Sequence, residues 1–360
     1  MKKKLFLLLA SIMTFVSVSC SGSHKTIERE FDNIIVVIGD GMGMNHILNA
    51  IDYFDLETPV FIEDQCGYIK TNSLDGTTDS AAGGTALATG KKVHNSNVAM
   101  LDGEDLEQIT TIANSVGMKT GVITTDVLNG ATPAAFSGHS ESRDLGREIL
   151  ESQSTSGIHL FMGMLEPTYP AYDNLFIDNG YTFLNARARK ASSQLAEVKN
   201  SKKLLAMIED VTSEYIDDYA AQFSYQLDDM VKFGVEFLEN EKGFFLMVEG
   251  AYIDKNSHGN GYHGAMCEVR SLIDTIEFLY EYAADGRTAI FITADHETGG
   301  LQRYVGQTND LDSLFTTTGH TSIDVPLFVK NYTLDLSDYQ GTYPENTIIF
   351  ETCKSIILGR

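Results

Sequence analysis

The sequence predicts an α/β fold with a mostly parallel central sheet covered by helices on both faces. Continuous apolar runs, typical of strands buried on both faces, recur at residues 33–38, 121–125, 244–248, 288–293 and 325–329. Between them lie segments whose apolar residues follow the helical period, most clearly 227–238 and 269–283. Because doubly covered strands alternate with amphipathic helices, a parallel sheet is the expected architecture.

The beginning of the chain has the pattern of an export signal. A basic start is followed by a largely apolar run at 5–19, which is shorter than the roughly 20 residues that a membrane-spanning helix needs. We expect residues 1–19 to be removed on export, residues 20–32 to form a polar tether and residues 33–360 to form a single domain. Two alternatives stay open for Cys20: lipidation, giving an outer-membrane lipoprotein with a lipid anchor in the membrane, or plain secretion into the periplasm.

The segment 151–222 is the least regular part of the chain, being polar, charged and mixed in its periodicity. We expect it to form peripheral helices and loops beside the active face. The whole chain carries 50 acidic against 26 basic residues, a formal net charge of −24. This charge argues against non-specific binding of nucleic acids or anionic membranes through the protein surface, since both need a basic face.

Several predicted strands end in polar residues. Asp40 follows the first strand, Asp126 and Glu249 close two others, and Asp295 and His296 follow a fourth. In open α/β sheets ligands bind at the carboxyl ends of strands. A single aspartate there is equally explained as a helix cap, but repeated carboxylates with a histidine beside them indicate a metal site.

Other residues extend this pattern. Asp254 and His258 are four residues apart, so one helical turn would place both on one face, although a solvated loop is the alternative. Ser80 lies at an expected helix start, either as a nucleophile or with Asp79 as a simple cap. Taken alone, His320 and Arg143 are uninformative. Oxygen and nitrogen ligands without thiolate suit zinc together with a harder ion such as magnesium.

Six sequence blocks, in order along residues 33–330, resemble those of the bacterial alkaline phosphatases. They are IGDGMG, TDSAAGGTALATG, ATPAAFSGHSESR, VEGAYIDKNSH, TADHETGG and TTGHTSIDVP. Each block is weak by itself, but six in family order are specific. The resemblance implies an alkaline-phosphatase-like three-layer sandwich and the hydrolysis of phosphate monoesters through a phosphoserine on Ser80.

The resemblance also implies roles for individual residues and three metal ions, two Zn²⁺ and one Mg²⁺. The first zinc would be held by Asp254, His258 and His320. The second would be held by Asp40, Asp295 and His296, with Ser80. The magnesium would be held by Asp40, Thr132 and Glu249. Arg143 would bind two phosphate oxygens, and Lys255 would complete the catalytic residues.

This chain departs from the family pattern in two places. Gly130 stands two residues before Thr132, where family members commonly carry Asp or His that pairs with the residue matching Lys255. We therefore expect Lys255 to lack its usual partner and to point more directly at the phosphate. The chain is also short between Arg143 and Phe244, so the insertions that build an extended interface in relatives are expected to be missing, which leaves a homodimer as an open alternative.

Two other functions compete with a phosphomonoesterase. A phosphodiesterase or another hydrolase of the same superfamily is one, but diesterases usually lack the third metal, for which Thr132 and Glu249 are present here. A non-catalytic phosphate- or metal-binding protein is the other, but it would require a missing nucleophile or ligand.

Overall fold

In a computed structural model, the protein is described at residues 30–164, 172–187, 190–209, 226–306, 308–339 and 341–359. The proposed export signal, Cys20 and most of the tether lie outside the described residues. The strands are β1 Asn33–Gly39, β2 Gln65–Ile69, β3 Met100–Leu101, β4 Glu104–Asp105, β5 Lys119–Val127, β6 Leu160–Met164, β7 Thr182–Arg187, β8 Leu204–Glu209, β9 Phe244–Gly250, β10 Thr288–Thr293, β11 Glu297–Thr298, β12 His320–Thr321 and β13 Val325–Lys330.

The described α-helices surround these strands. They are α1 Met44–Tyr53, α2 Ser80–Thr89, α3 Ile109–Ser115, α4 Ala131–Ala135, α5 Gly146–Thr155, α6 Asp173–Asp178, α7 Ala191–Val198, α8 Leu227–Leu238, α9 Tyr252–His258, α10 Tyr262–Tyr282 and α11 Ile348–Leu358. Among the described helices, none combines the length and apolar character needed to cross a membrane.

Nine of the described strands form one sheet in the order β2-β13-β10-β1-β9-β5-β6-β8-β7. From β10 to β7 every pairing is parallel, and β13 joins antiparallel to both β10 and β2. The predicted mostly parallel sheet is therefore confirmed, with an antiparallel edge. It is formed by the continuous apolar runs that both faces of a covered sheet require.

Helices cover the sheet in two groups. One contains α1, α8, α9 and α10, with α10 packed against the other three; the second contains α2, α3, α4 and α11, with α2 packed against the other three. All residues of β9 and β10 are buried, so both faces of the central strands are covered. This is the three-layer arrangement that the resemblance implies.

The expectation of helices and loops over residues 151–222 is wrong in part. Strands β6, β8 and β7 lie in this segment and form one end of the central sheet. The apolar runs of β6 and β8 are only five residues long, 160–164 and 204–208, and they are embedded in polar sequence that masks their period. Residues 165–171, 188–189 and 210–222 of the segment lie outside the described residues.

The register of the central strands brings their carboxyl ends level. Ile38 of β1 pairs with Glu249 of β9 on one side and with Thr293 of β10 on the other, and Glu249 also pairs with Thr124 of β5. The residues that follow β10, β1, β9 and β5 therefore meet at one edge of the sheet, where parallel α/β proteins bind their ligands.

Candidate active site

Buried carboxylates gather at this edge of the sheet. Asp40, Glu249 and Asp295 are 7%, 2% and 0% exposed. The turn after β1 depends on Gly41, whose φ of +73° is unfavourable for other residues. A Cβ at Gly41 would also lie 2.8 Å from Thr298 Oγ1 and 3.0 Å from the Asp254 backbone. This glycine therefore allows the turn after β1 to lie in close contact with β11 and α9.

Ser80 is the first residue of α2, as the sequence predicts. Asp79 caps the helix by accepting a hydrogen bond from the Ala82 amide at 3.0 Å, so the capping role belongs to Asp79. Ser80 is left with its Oγ atom 3.2 Å from His296 Nε2, and it is buried. The serine hydroxyl therefore faces the buried His296 ring.

The first group of ligand atoms joins Asp254, His258 and His320. The Nε2 atoms of the two histidines are 3.1 Å apart, and they lie 3.4 and 3.5 Å from Asp254 Oδ1. Asp254 and His258 share one turn of α9, which confirms the predicted helical placement. His320 arrives on the β11–β12 pair, where it is opposite Thr298. Two distant parts of the chain, α9 and β12, thus bring their side chains to one point.

The second group of ligand atoms surrounds His296 Nε2. Asp295 Oδ2 lies 3.3 Å from it, Ser80 Oγ 3.2 Å and Asp40 Oδ1 3.5 Å. The rings of His296 and His320 stack with their centroids 3.6 Å apart, which places this group directly beside the first. Four stretches of chain therefore converge beside the serine oxygen.

Hydrogen bonds fix the tautomers of all three histidines. Nδ1 of His258 donates to the Thr318 carbonyl at 2.6 Å, and Nδ1 of His320 donates to the Thr78 carbonyl at 2.9 Å. Thr298 donates its hydroxyl proton to Asp254 Oδ1 at 2.5 Å, so its oxygen accepts from His296 Nδ1 at 3.2 Å. When a ring is neutral, its unprotonated atom is therefore Nε2, the atom that faces the site and can bind metal.

The distances between the ligand atoms in both groups fit a bound metal ion, and two of the buried oxygens lack a hydrogen-bond partner. Ligand atoms of a tetrahedral zinc ion with bonds of about 2.0–2.1 Å lie about 3.3 Å apart, close to the separations in both groups. Within the described part of the chain, Asp40 Oδ1 and Asp295 Oδ2 are buried without a hydrogen-bond partner. Buried polar atoms left unpaired are costly, and a bound cation would satisfy them.

The electrostatics of the site also call for cations. Burial, followed by the charges of Asp295, Asp254 and Glu249, raises the pKa of Asp40 well above its usual value. Burial and then the Asp126 charge raise the pKa of Glu249 to about 8, against a lowering effect of Thr124 and Thr132. Like charges buried together oppose ionisation, and bound dications would reverse this effect.

The histidine–aspartate group shows the opposite effect. Although burial opposes it, hydrogen bonding to His258 and His320 holds the pKa of Asp254 below its usual range. In turn, hydrogen bonding to Asp254 raises the pKa of His258 to about 9. Asp254 is thus kept as a carboxylate, the form that binds metal.

Two cationic side chains border the site. Arg143 Nη1 lies 3.3 Å from Asp79 Oδ2. The pKa values of Asp40 and His258 are raised overall, but the Arg143 charge acts on both in the opposite direction, as a smaller effect. The Arg143 side chain is 35% exposed, so it is held beside Ser80 and can also be reached from solvent. Such a placement suits binding of a phosphoryl group.

Lys255 lacks its usual partner, as expected, because position 130 is a glycine. It has another partner instead: its Nζ atom lies 2.5 Å from Asp126 Oδ1, and it also lies 4.4 Å from the centre of the Tyr252 ring. The partner comes from the end of β5 and not from position 130. The polar cluster Thr124-Thr125-Asp126 was the sequence signal for it, but sequence alone did not show which way Asp126 faces. Thr298 lies in the TADHETGG block, but nothing in the sequence showed that its hydroxyl contacts both Asp254 and His296.

The model of the family "Alkaline phosphatase" matches residues 31–159 and 173–350 of this chain. Alkaline phosphatase 4 of Bacillus subtilis strain 168 is 31% identical over 304 residues, which are 78% of this chain and 64% of that protein. Alkaline phosphatase of Escherichia coli K12 is 29% identical over 332 residues, covering 75% of this chain and 70% of that protein. The chain thus spans slightly less than two thirds of the length of the Bacillus relative.

The comparison with solved structures agrees with the match to the family model. The alkaline phosphatase of the Antarctic bacterium TAB5 is 26% identical with a TM-score of 0.75, covering 91% of this chain and 98% of that one. A variant of the TAB5 enzyme, 25% identical with the same TM-score and coverage, has Mg bound in its M3 site. The Thermus thermophilus alkaline phosphatase, at 19% identity, a TM-score of 0.77 and coverage of 93% and 92%, shows the shared fold.

Proposed function

This chain belongs to the alkaline phosphatase family, and we propose that it is a metal-dependent phosphomonoesterase that works through a phosphoserine on Ser80. The observation that supports this proposal most directly is the position of Ser80 Oγ, 3.2 Å from His296 Nε2. Ligand atoms that could hold a metal ion converge at this ring, where His296 lies with Asp254 and His320 on one side and with Asp40 and Asp295 on the other. Unpaired, buried oxygens of Asp40 and Asp295 in the same place support the presence of cations.

We assign the ligands at this edge of the sheet to three metal ions. The proposed first zinc site is formed by Asp254, His258 and His320. The second is formed by Asp40, Asp295 and His296, together with Ser80. The proposed magnesium site is formed by Asp40, Thr132 and Glu249, and the Mg bound in a TAB5 variant supports a third ion in this family. When bound, these ions would stabilise the oxygens that enter and leave the phosphorus atom.

The residues of the chain have distinct tasks in this reaction. The Ser80 oxygen, having lost its proton to solvent, forms a bond to phosphorus as the bond to the alcohol oxygen breaks, and the departing alcohol oxygen takes up a proton from solvent. Water then attacks the phosphoserine, the phosphorus–Oγ bond breaks, and inorganic phosphate leaves with Ser80 restored. Asp79 holds Arg143 beside Ser80, so that the guanidinium can bind two phosphoryl oxygens. Lys255 contributes a second positive charge at the opening of the site.

The test compares the purified wild-type protein with Ser80→Ala. We expect wild type to contain zinc and to hydrolyse p-nitrophenyl phosphate far faster than bis(p-nitrophenyl) phosphate. Ser80→Ala should lose roughly three to six orders of magnitude in kcat, the range seen when a catalytic nucleophile is removed. Ser193→Ala is the matched control, because Ser193 is an exposed residue of α7.

Two outcomes would contradict the proposal. Preferential turnover of the diester would assign the chain to the phosphodiesterase alternative. Wild-type activity in Ser80→Ala equal to that in Ser193→Ala would remove the phosphoserine mechanism.

A further inference from the structure

Asp126 belongs to none of the proposed metal-ligand sets, yet it lies beside the third one. It is the second-last residue of β5, close to a shift in the register between β5 and β6 that falls between Ile123 and Val127. Its amide donates to Thr124 Oγ1 at 2.9 Å, and Thr124 in turn donates its hydroxyl proton to Glu249. The end of β5 thus connects Asp126 to the Glu249 carboxylate through one side chain.

The carboxylate of Asp126 occupies the space beside Gly130. A Cβ added at Gly130 would lie 3.2 Å from Asp126 Oδ2 and 3.0 Å from the Val127 carbonyl oxygen. Gly130 has a φ of −56°, so its backbone does not require glycine. Position 130 therefore favours glycine because of Asp126: a larger side chain at this position would compete with the Asp126 carboxylate for the same space.

Charges connect Asp126 to both sides of the site. Its other oxygen, Oδ1, accepts from Lys255 Nζ at 2.5 Å, with the Asp126 side chain 19% and the Lys255 side chain 42% exposed. The Asp126 charge is also the strongest charge effect on Glu249, and Glu249 in turn acts on Lys255. Two carboxylates, Asp126 and Glu249, and one lysine therefore act on each other within one small region.

We propose that Asp126 is a positioning residue that holds Lys255 at the phosphate-binding opening and supplies the outer carboxylate of the Thr132–Glu249 cation site, in the space that the missing side chain of Gly130 leaves free. This inference rests on the proposed phosphomonoesterase function. It assigns Asp126 no contact with the reacting atoms. Its oxygens act on Lys255 and on the hydrated side of the cation.

The experiment moves the carboxylate from one position to the other. Asp126→Ala removes it, Asp126→Asn keeps its shape, and Asp126→Ala with Gly130→Asp supplies a carboxylate from position 130. Asp228→Asn is the matched control, because Asp228 also pairs with a lysine, Lys232, at 2.6 Å, on the surface of α8. Each protein is measured for Mg²⁺-dependent increase in Tm, for the Kd of inorganic phosphate by calorimetry, and for kcat and KM.

We expect Asp126→Ala and Asp126→Asn to weaken Mg²⁺ and phosphate binding about 10-fold or more, as loss of a residue that supports metal ligands does. The double variant should recover most of both, while Asp228→Asn stays within about twofold of wild type, as surface substitutions usually do. If Asp126→Ala keeps both affinities within about twofold, or if the double variant recovers neither, the proposal is overturned.

The two proposals fail in different ways. If wild type binds Mg²⁺ but hydrolyses no phosphate monoester, the proposed function fails. If wild type is active and the Asp126 variants bind both ligands normally, only the role of Asp126 fails.

Discussion

Thr298 shows how one hydroxyl can orient two metal-binding side chains. Its proton goes to Asp254 Oδ1 and its oxygen accepts from His296 Nδ1, so it connects the proposed first zinc site to the second. It is fully buried, so water does not replace it. Such supporting residues determine both the direction and the basicity of the ligands that they contact.

We expect Thr298→Val to weaken zinc binding about 10- to 100-fold, because Asp254 and His296 both lose a hydrogen bond while the side-chain shape is kept. Thr298→Ser retains the hydroxyl and should bind zinc nearly as wild type does. Zinc retained after dialysis against a graded series of chelator concentrations measures the difference. Equal retention by Thr298→Val and Thr298→Ser would show that the hydroxyl does not support the ligands.

The contact between α1 and α9 places a buried histidine behind the site. His46 of α1 is 0% exposed; its Nδ1 accepts from the Gly43 amide at 3.2 Å, and its Nε2 lies 3.1 Å from Ser257 Oγ on α9. Ser257 donates its own proton to the Ile253 carbonyl, so His46 Nε2 is the donor to Ser257. The neutral ring thus makes one hydrogen bond at the start of α1 and one to α9. Protonation of Nδ1 would place a second N–H against the Gly43 N–H.

This contact predicts a loss of stability in acid. Burial lowers the pKa of His46 to about 4, from a usual value of about 6.5. The unfolded chain therefore binds more protons between these values, so the stabilisation is complete above pH 6.5 and is lost as the pH falls toward 4. Between about pH 7.5 and 5, wild type should lose roughly 2 kcal/mol more unfolding free energy than His46→Gln.

Urea unfolding at the two pH values measures this difference. Burial also lowers the pKa of His159, to about 4, but His159 is present in both proteins and its effect cancels. If the unfolding free energies of wild type and His46→Gln change equally with pH, His46 is not held neutral in the fold.

The molecule as a whole carries a net charge of −24, yet its proposed substrate is an anion. The carboxylates of the site would repel a phosphate as long as they are not neutralised. Arg143 and Lys255 bring two positive charges, but Arg143 is already paired with Asp79 and Lys255 with Asp126. The proposed dications, when bound, would make the site attractive to phosphate.

Removal of the metal ions should for this reason affect both stability and binding. We expect treatment with a chelator to lower the unfolding free energy by about 2.7 kcal/mol or more, the linkage expected from a ligand at one hundred times its Kd. Phosphate binding should be lost at the same time. Calorimetric Tm and phosphate titrations, before and after chelation and after return of Zn²⁺ and Mg²⁺, measure both effects.

Ser80→Ala provides the control for this prediction, since it should keep most of the metal-dependent increase in Tm while it loses activity. A Tm that is unchanged by chelation in wild type and in Ser80→Ala would contradict metal binding at this edge of the sheet.

The sequence by itself determined the apolar runs of the central strands, the helical spacing of Asp254 and His258, and the order of the blocks that carry Ser80 and the ligands. These are local patterns, because burial on both faces and one turn of helix each leave a signal in neighbouring residues. Tertiary structure alone decided that residues 160–164 and 204–208 join the sheet, that Thr298 connects two ligand groups, and that Asp126 pairs with Lys255. Each of these depends on strand register or on side chains more than 40 residues apart, and no local pattern in a chain records such distances.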